Sequence, residues 1–304
     1  VRYICDPERP TIFTTLSEDK IRLEFQLLAG ENGTEIINGN KYAKFISPLL
    51  IDKKYLIERV YIYRYRGNCS RELRRKNIFL LGDAAHQMPP FAGQGLSSGL
   101  RDASNLCWKI AYVISNQFND EILDTYQIER TEEIKNSIDS SIALGKLIDS
   151  LSVAFKDSTP IEEAIPPEAR EQAYGKKSLT EQSISKGLFS SLVRDDNIGK
   201  LVPMTYFSNK TDNVSIDDLL DSRFGVISSK DPKDSLNESA LSSYKIINAV
   251  FIDISKYNFL NSKFEELVDI GDIIVRPDKL IYGITSNGVT LQNLSDELFK
   301  RLSK

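Results

Sequence analysis

Residues 78–108 read IFLLGDAAHQMPPFAGQGLSSGLRDASNLCW, and the order of residue types in this stretch decides the fold. The apolar run Asn77-Ile78-Phe79-Leu80-Leu81 is stopped by Gly82, which predicts a short strand buried on both faces. An irregular loop with Pro89-Pro90 and Gly93-Gln94-Gly95 comes next. From Leu96 to Ile114 the residues Leu96, Leu100, Ala103, Cys107, Ile110 and Ile114 recur at steps of three or four, predicting an amphipathic helix with that face buried. Strand, glycine loop and helix N-terminus in this order form a site for an anion or a polar ligand. The first N–H groups of the helix, at Gly95, Leu96 and Ser97, have no intrahelical partner, and the helix dipole adds about half a positive charge there. Asp83, at the carboxyl end of the strand, suits sugar-like hydroxyls, from which a carboxylate accepts hydrogen bonds.

Downstream, a long helix is expected from Asp120 to about Ile148, with Leu123, Tyr126, Ile134, Ile138 and Ile142 on one side and Glu129 to Glu133 largely solvated. Residues 156–187, which include Pro166-Pro167, read as an irregular or short-helical connection. Beyond about Gly199, short strands at Arg223–Ile227, Ile247–Ile252 and Asp272–Arg276 and a helix from about Asn293 to Leu302 predict a small α/β domain. Upstream, Thr11–Thr14, Ile21–Leu27 and Val60–Tyr65 alternate apolar and polar residues at the strand period, and the polar Ser17–Lys20 turn makes the first two a hairpin.

The 304 residues carry 39 Lys+Arg against 43 Asp+Glu, a net charge of −4, with no basic stretch that would mark a nucleic-acid partner. No apolar run approaches the roughly 18 residues of a membrane span. Cys5, Cys69 and Cys107 are widely spaced, so reduced thiols in a cytoplasmic protein are expected and no zinc site is. His86 is the only histidine, which excludes any mechanism needing two.

The ordered set Gly82-Asp83-Ala84-Ala85-His86, Pro89-Pro90, Gly93-Gln94-Gly95 and Asp102, Asn105-Leu106, Trp108-Lys109 resembles the second flavin motif of the FAD-dependent aromatic hydroxylases of the p-hydroxybenzoate hydroxylase type. Asp6–Thr11, Arg22–Phe25, Leu123–Arg130, Gly199–Pro203 and Val275–Asp278 look like the 3-(3-hydroxyphenyl)propionate hydroxylase branch, so the likeness reaches over nearly the whole chain. It implies a mixed α+β / α/β fold: the remainder of a substrate-binding β-sheet domain over 1–75, the C-terminal part of an FAD-binding domain with long helices over 76–155, a connection over 156–198, and a thioredoxin-like domain over 199–304. No cysteine occurs after Cys107, so that last domain would lack redox activity.

The resemblance also implies FAD as cofactor and NAD(P)H as co-substrate, with a small phenolic substrate. Asp83 would bind the ribityl chain, Gly82 and Ala84 would lie near the pyrophosphate, and Pro90, Gly93, Gln94, Gly95, Leu96 and Ser97 would lie along the flavin ring. No side chain is assigned as a catalytic base. His86 is expected to be loop scaffold, Cys107 core, Trp108 a packing anchor, Tyr61, Tyr63 and Tyr65 sheet-packing aromatics, and Asp102 and Asn105 ties for the loop. The G-x-G-x-x-G element that cradles the ADP half of FAD is absent from the 304 residues. The chain is therefore expected to be the C-terminal portion of a hydroxylase, inactive by itself and able to form a homodimer. Alternatives of other kinds are a non-catalytic scaffold or dimerisation fragment, and a related monooxygenase acting on a polyketide or antibiotic.

Overall fold

The computed structural model describes residues 1–115, 117–157, 160, 163, 183–208, 213–259 and 261–303. Most of the expected connection, including Pro166-Pro167, lies outside the described residues. The chain forms two compact units, one from residues 1–68, 88–94 and 138–177 and the other from 69–87, 95–137 and 178–304.

In the first unit, strands Arg2–Ile4, Thr11–Thr15 and Ile21–Phe25 form an antiparallel sheet in that order. The register sets Thr11 opposite Phe25 and Thr15 opposite Ile21. The polar turn closes the hairpin as expected: Leu16 N–H donates to Lys20 O at 2.9 Å and Ser17 Oγ to Asp19 Oδ1 at 2.7 Å. Arg9 ties the sheet to the short helical segments beyond it. Its guanidinium forks onto Glu31 at 2.8 and 2.6 Å and lies 4.0 Å from the Phe45 ring centroid.

The expected strand Val60–Tyr65 is not formed: residues 54–67 carry no strand, and Val60 to Tyr65 are exposed. Alternation alone supplies no ladder partner, and an unpaired strand leaves its backbone groups unsatisfied. Tyr65 is instead held through its hydroxyl, 2.5 Å from Glu24 Oε2, and its ring meets Phe91 edge-on at 5.4 Å. Gly145 admits this arrangement, because a Cβ there would sit 2.6 Å from the Phe91 ring.

In the second unit the run after Asn77 forms only the two-residue strand Ile78–Phe79, paired with Arg74–Arg75. Ile78 is 67% exposed, which overturns the expectation of burial on both faces. A two-stranded ribbon has no second layer on its outer side. Leu80 is still anchored, since its carbonyl accepts from Tyr126 Oη at 2.7 Å.

The helix after the glycine loop spans Gln94–Ile114, and the long helix spans Asp124–Asp157 behind a 3₁₀ turn at Asp120–Leu123. Leu123, Tyr126, Ile134 and Ile138 are buried as expected. Two expectations about these helices fail. Leu96, Leu100 and Ile114 are 78%, 63% and 75% exposed, and Cys107 is exposed rather than core. The buried stripe of the first helix is Ser98, Asp102, Asn105, Leu106, Trp108 and Lys109. In the long helix Glu129, Arg130 and Glu133 are buried rather than solvated. The two failures have one cause, because the buried polar residues of the two helices pair with each other.

The C-terminal part of this unit holds strands Gly225–Ser228, Val250–Asp253, Ile273–Val275 and Ile281–Ile284. Val250–Asp253 runs parallel beside Gly225–Ser228, with Ile273–Val275 antiparallel on its other side and Ile281–Ile284 at the edge. Helices Glu238–Ile246, Ser262–Ile270 and Leu291–Leu302 complete a βαβαββα order. Its core includes Phe207, Ile227, Phe264, Ile273 and Ile284. Trp108 packs edge-on to Phe224, just before the first of these strands, at 5.4 Å.

Candidate functional site: a glycine turn held by buried ion pairs

Gly82–Ala84 form a single 3₁₀ turn, with Gly82 at φ +56° and Ala85 N–H closing onto Gly82 O at 2.8 Å. The positive φ suits glycine, because a Cβ is strained there. The turn leaves Asp83 and Ala84 exposed and buries Ala85 and His86. It is held from below by the helix. Asp102 accepts from Gly82 N–H at 2.9 Å, from His86 Nε2 at 2.7 Å and from Arg130 Nε at 2.7 Å. Gly99 lets the helix approach this closely, since a Cβ there would lie 3.3 Å from Gly82 Cα.

Burial by itself would raise the Asp102 carboxyl. The hydrogen bond from His86, the charge of Arg130 and the Gly82 N–H together outweigh it and hold the group below the usual carboxylate range. An ionised Asp102 only accepts, so His86 carries its proton on Nε2. His86 Nδ1 is buried with no hydrogen-bond partner among the described residues. The histidine is thus part of the scaffold under the turn. Arg130 also pairs with Glu133 and reaches Ser98 O and Oγ at 3.4 Å each.

One turn further along the helix lies a second buried cluster. Glu129 accepts from Arg276 Nη1 and Nη2 at 2.9 and 2.8 Å, from Lys109 Nζ at 2.8 Å, from Asn105 Nδ2 at 2.6 Å and from Leu188 N–H at 2.8 Å. Arg276 Nε and Nη2 also meet Asp278 at 3.0 and 2.5 Å. Lys109, Glu129 and Arg276 are all 0% exposed. Burial pushes the Lys109 ammonium down to about 8 against the pull of Glu129. Glu129 goes the other way: burial would raise it, but the charges of Arg276 and Lys109 hold it far below the usual range.

Both carboxylates therefore titrate lower folded than unfolded, where they sit near pH 4. The stability they add is complete above about pH 5 and drains away as the pH falls through about 4 toward their folded values. Acid titration by circular dichroism is expected to show cooperative loss of structure below about pH 4, at a higher midpoint in Asp102→Asn; an unchanged midpoint in that variant would refute the assignment.

The predicted ligand residues fall in both compact units. Gly82, Asp83, Ala84, Gly95, Leu96 and Ser97 belong to the second, and Pro90, Gly93 and Gln94 to the first. Pro90 opens a 3₁₀ turn ending at Gly93, which has φ +62° and whose N–H bonds Pro90 O at 2.9 Å. A Cβ built at Gly82, Gly93 or Gly95 would meet nothing within 4 Å, so each of these glycines borders open space. Sequence reading named Asp102 and Asn105 as ties but missed Ser98, Lys109, Glu129, Arg130, Arg276 and Asp278. The available signal was the polar spacing Ser98, Asp102, Asn105, Lys109 at steps of four, three and four. Among the described residues no helix is long and apolar enough to cross a membrane, and no cluster of His, Cys, Asp or Glu could hold a metal ion.

Residues 50–141 match the family described as an FAD binding domain. Over 146 residues the chain is 36% identical to a probable NADH-specific resorcinol 4-hydroxylase of Rhodococcus jostii (strain RHA1), an alignment covering 48% of this chain and 27% of the relative. It is 38% identical over 146 residues to 3-(3-hydroxy-phenyl)propionate/3-hydroxycinnamic acid hydroxylase of Escherichia coli (strain K12 / DH10B), covering 47% and 26%. The matched part thus spans about a quarter of each curated relative. Over the matched part the chain is thus similar to an FAD binding domain and to these two aromatic hydroxylases. Its fold is shared with aklavinone-11 hydroxylase solved with FAD and aklavinone, at a TM-score of 0.73 and 18% identity, over 98% of this chain and 58% of that one. The flavin-dependent monooxygenase PieE, solved with FAD and substrate, gives 0.68 and 17% over 97% and 60%.

Proposed function

We propose that this chain is part of an FAD-dependent monooxygenase that inserts one atom of O2 into a phenolic ring, on a substrate of the 3-(3-hydroxyphenyl)propionate kind, with NAD(P)H as reductant. One observation carries the reading: the stretch matching an FAD binding domain contains the Gly82–Ala84 turn, with Asp83 exposed on it. Asp102 fixes the Gly82 backbone from beneath, Asp83 stands exposed above it, and the glycines border open space. These residues fit the cofactor. Asp83 would hold the ribityl hydroxyls, Gly82 and Ala84 the pyrophosphate, and the residues from Pro90 to Ser97 the flavin ring.

When bound, the flavin supplies the oxygen chemistry. The chain's own part is to bind, orient and keep water out. The N-terminus of the Gln94–Ile114 helix favours negative charge beside it by about 0.3–2 kcal/mol. Residues 199–304 are read as a thioredoxin-like domain without redox function. Supporting this are the βαβαββα order, the sheet with its parallel pair at one side, and the lack of cysteine after Cys107. The cytoplasmic assignment rests on cysteine spacing.

A single-ring phenol is preferred over a polycyclic substrate because the relatives at 36–38% identity are named for resorcinol and hydroxyphenylpropionate. With the G-x-G-x-x-G cradle absent from these residues, this chain alone is expected to bind FAD with Kd above about 1 μM, a binding energy of less than about 8 kcal/mol. Flavin fluorescence titration measures it, and submicromolar binding would overturn this part of the reading. The activity itself is tested on the full-length protein with NAD(P)H, O2 and hydroxyphenylpropionate; absence of a hydroxylated product sinks the branch assignment.

A further inference from the structure

The Arg276-Pro277-Asp278 turn stands out in the sequence, yet the proposed chemistry does not use it. It joins strands Ile273–Val275 and Ile281–Ile284, with Arg276 N–H bonded to Leu280 O at 2.8 Å, Lys279 N–H bonded to Arg276 O at 2.9 Å, and Lys279 at φ +66°. A tight turn at the end of a sheet is usually solvated. This one buries a guanidinium completely. Asp278 holds one edge of it, Leu188 O accepts from Nη1 at 3.1 Å, and the fork of Nη1 and Nη2 closes on Glu129. Gly187 (φ +124°) leaves the room needed, since a Cβ there would collide with the Glu129 side chain.

Glu129 and Arg130 are consecutive in the long helix, so their side chains leave it about 100° apart. Glu129 is bonded to Asn105 and Lys109, and Arg130 to Asp102, all on the helix that comes after the glycine loop. The two helices are therefore bolted at two levels one turn apart, and the upper bolt carries the Gly82 N–H and His86. Arg276 completes the lower bolt. There it brings the charge to neutral, with Lys109 and Arg276 against Glu129 and Asp278.

We propose that Arg276 is a positioning residue for the Gly82–His86 turn, acting through Glu129 and the paired helices although it lies in the C-terminal sheet domain. The proposal rests on the reading of that turn as the ligand site only for its functional meaning; the mechanical link stands on the bonds themselves. Without Arg276, Glu129 loses its bidentate partner, and two carboxylates are left facing the single cation Lys109. The helices then reset about each other, and the contact of Asp102 with Gly82 and His86 loosens.

These 304 residues contain a single histidine, so this chain, selectively labelled, reports on the link directly by NMR. In Arg276→Gln the His86 ring signals are expected to move, and the Gly82 amide to exchange about tenfold faster, while Val226 and Ile227 amides in the C-terminal sheet stay protected. Phe264→Leu, in the C-terminal core beside Phe207 and Phe259, is the control for lowered stability and is expected to leave His86 and Gly82 unmoved. Should Arg276→Gln not fold, Arg276→Lys is read in the same way, since it keeps the charge and loses the fork. His86 and Gly82 signals identical to the unsubstituted protein in a folded Arg276 variant would overturn the proposal, as would equal movement in the Phe264→Leu control. FAD added to the full-length protein tests the flavin reading separately. No flavin-induced change at Gly82 counts against the ligand site and leaves the link to Arg276 intact.

Discussion

Asp102→Ala is expected to cost about 3–5 kcal/mol of folding stability, measured by urea denaturation, because it takes from the buried Arg130 one of its two carboxylate partners and leaves two further donors without an acceptor. Those donors are Gly82 N–H and His86 Nε2, bonded to Asp102 at 2.9 and 2.7 Å. The loss is a large share of the roughly 5–15 kcal/mol that holds an ordinary domain together. Asp102→Asn keeps one acceptor oxygen in place and forfeits the charge, so its cost falls between the alanine variant and the unsubstituted protein. Whatever affinity the Gly82–Ala84 turn has for a ligand goes down with both, since the turn loses the bond that sets its backbone. A cost below about 1 kcal/mol for the alanine variant would show that the geometry under the turn is held elsewhere.

Glu129→Ala is the second large effect, again about 3–5 kcal/mol, because two fully buried cations, Lys109 and Arg276, lose their shared carboxylate. The informative measurement is a double-mutant cycle. Glu129→Gln combined with Arg276→Met removes both charges of the bidentate pair, and the double variant is expected to be more stable than the sum of the singles by more than about 1 kcal/mol. Strict additivity would mean that the two side chains contribute independently, contrary to their fork geometry. The cycle also apportions the cluster, because Asp278 remains beside Lys109 when Arg276 is gone.

Much of the fold was legible in local pattern. The hairpin of Thr11–Thr15 and Ile21–Phe25 arises from alternation interrupted by Ser17–Lys20, and its turn is closed by short-range hydrogen bonds. The first helix appears within two residues of its expected limits, whereas the second, expected to end near Ile148, runs on to Asp157. The C-terminal strands and final helix are close to expectation, because apolar residues there are buried in a single self-contained core. Val60–Tyr65 shows where such reading stops: a period of two describes a face, whereas a strand also needs a neighbour to take its backbone hydrogen bonds.

The helix Gln94–Ile114 separates the two kinds of information most clearly. By itself the sequence determined that the segment is a helix, that a glycine loop precedes it, and that its residues divide into an apolar side (Leu96, Leu100, Cys107, Ile114) and a polar side (Ser98, Asp102, Asn105, Lys109). Which side is buried was decided by tertiary structure alone, and it is the polar one. Polar side chains are buried when partners satisfy them; the partners here are Arg130, 28 positions from Asp102, Glu129, 20 from Lys109, and Asp278, 173 from Asn105, with Arg276 in turn reaching Glu129 across 147 positions. No local window contains both halves of such a pair, so the buried ion lattice under the Gly82–His86 turn exists only once the chain has folded.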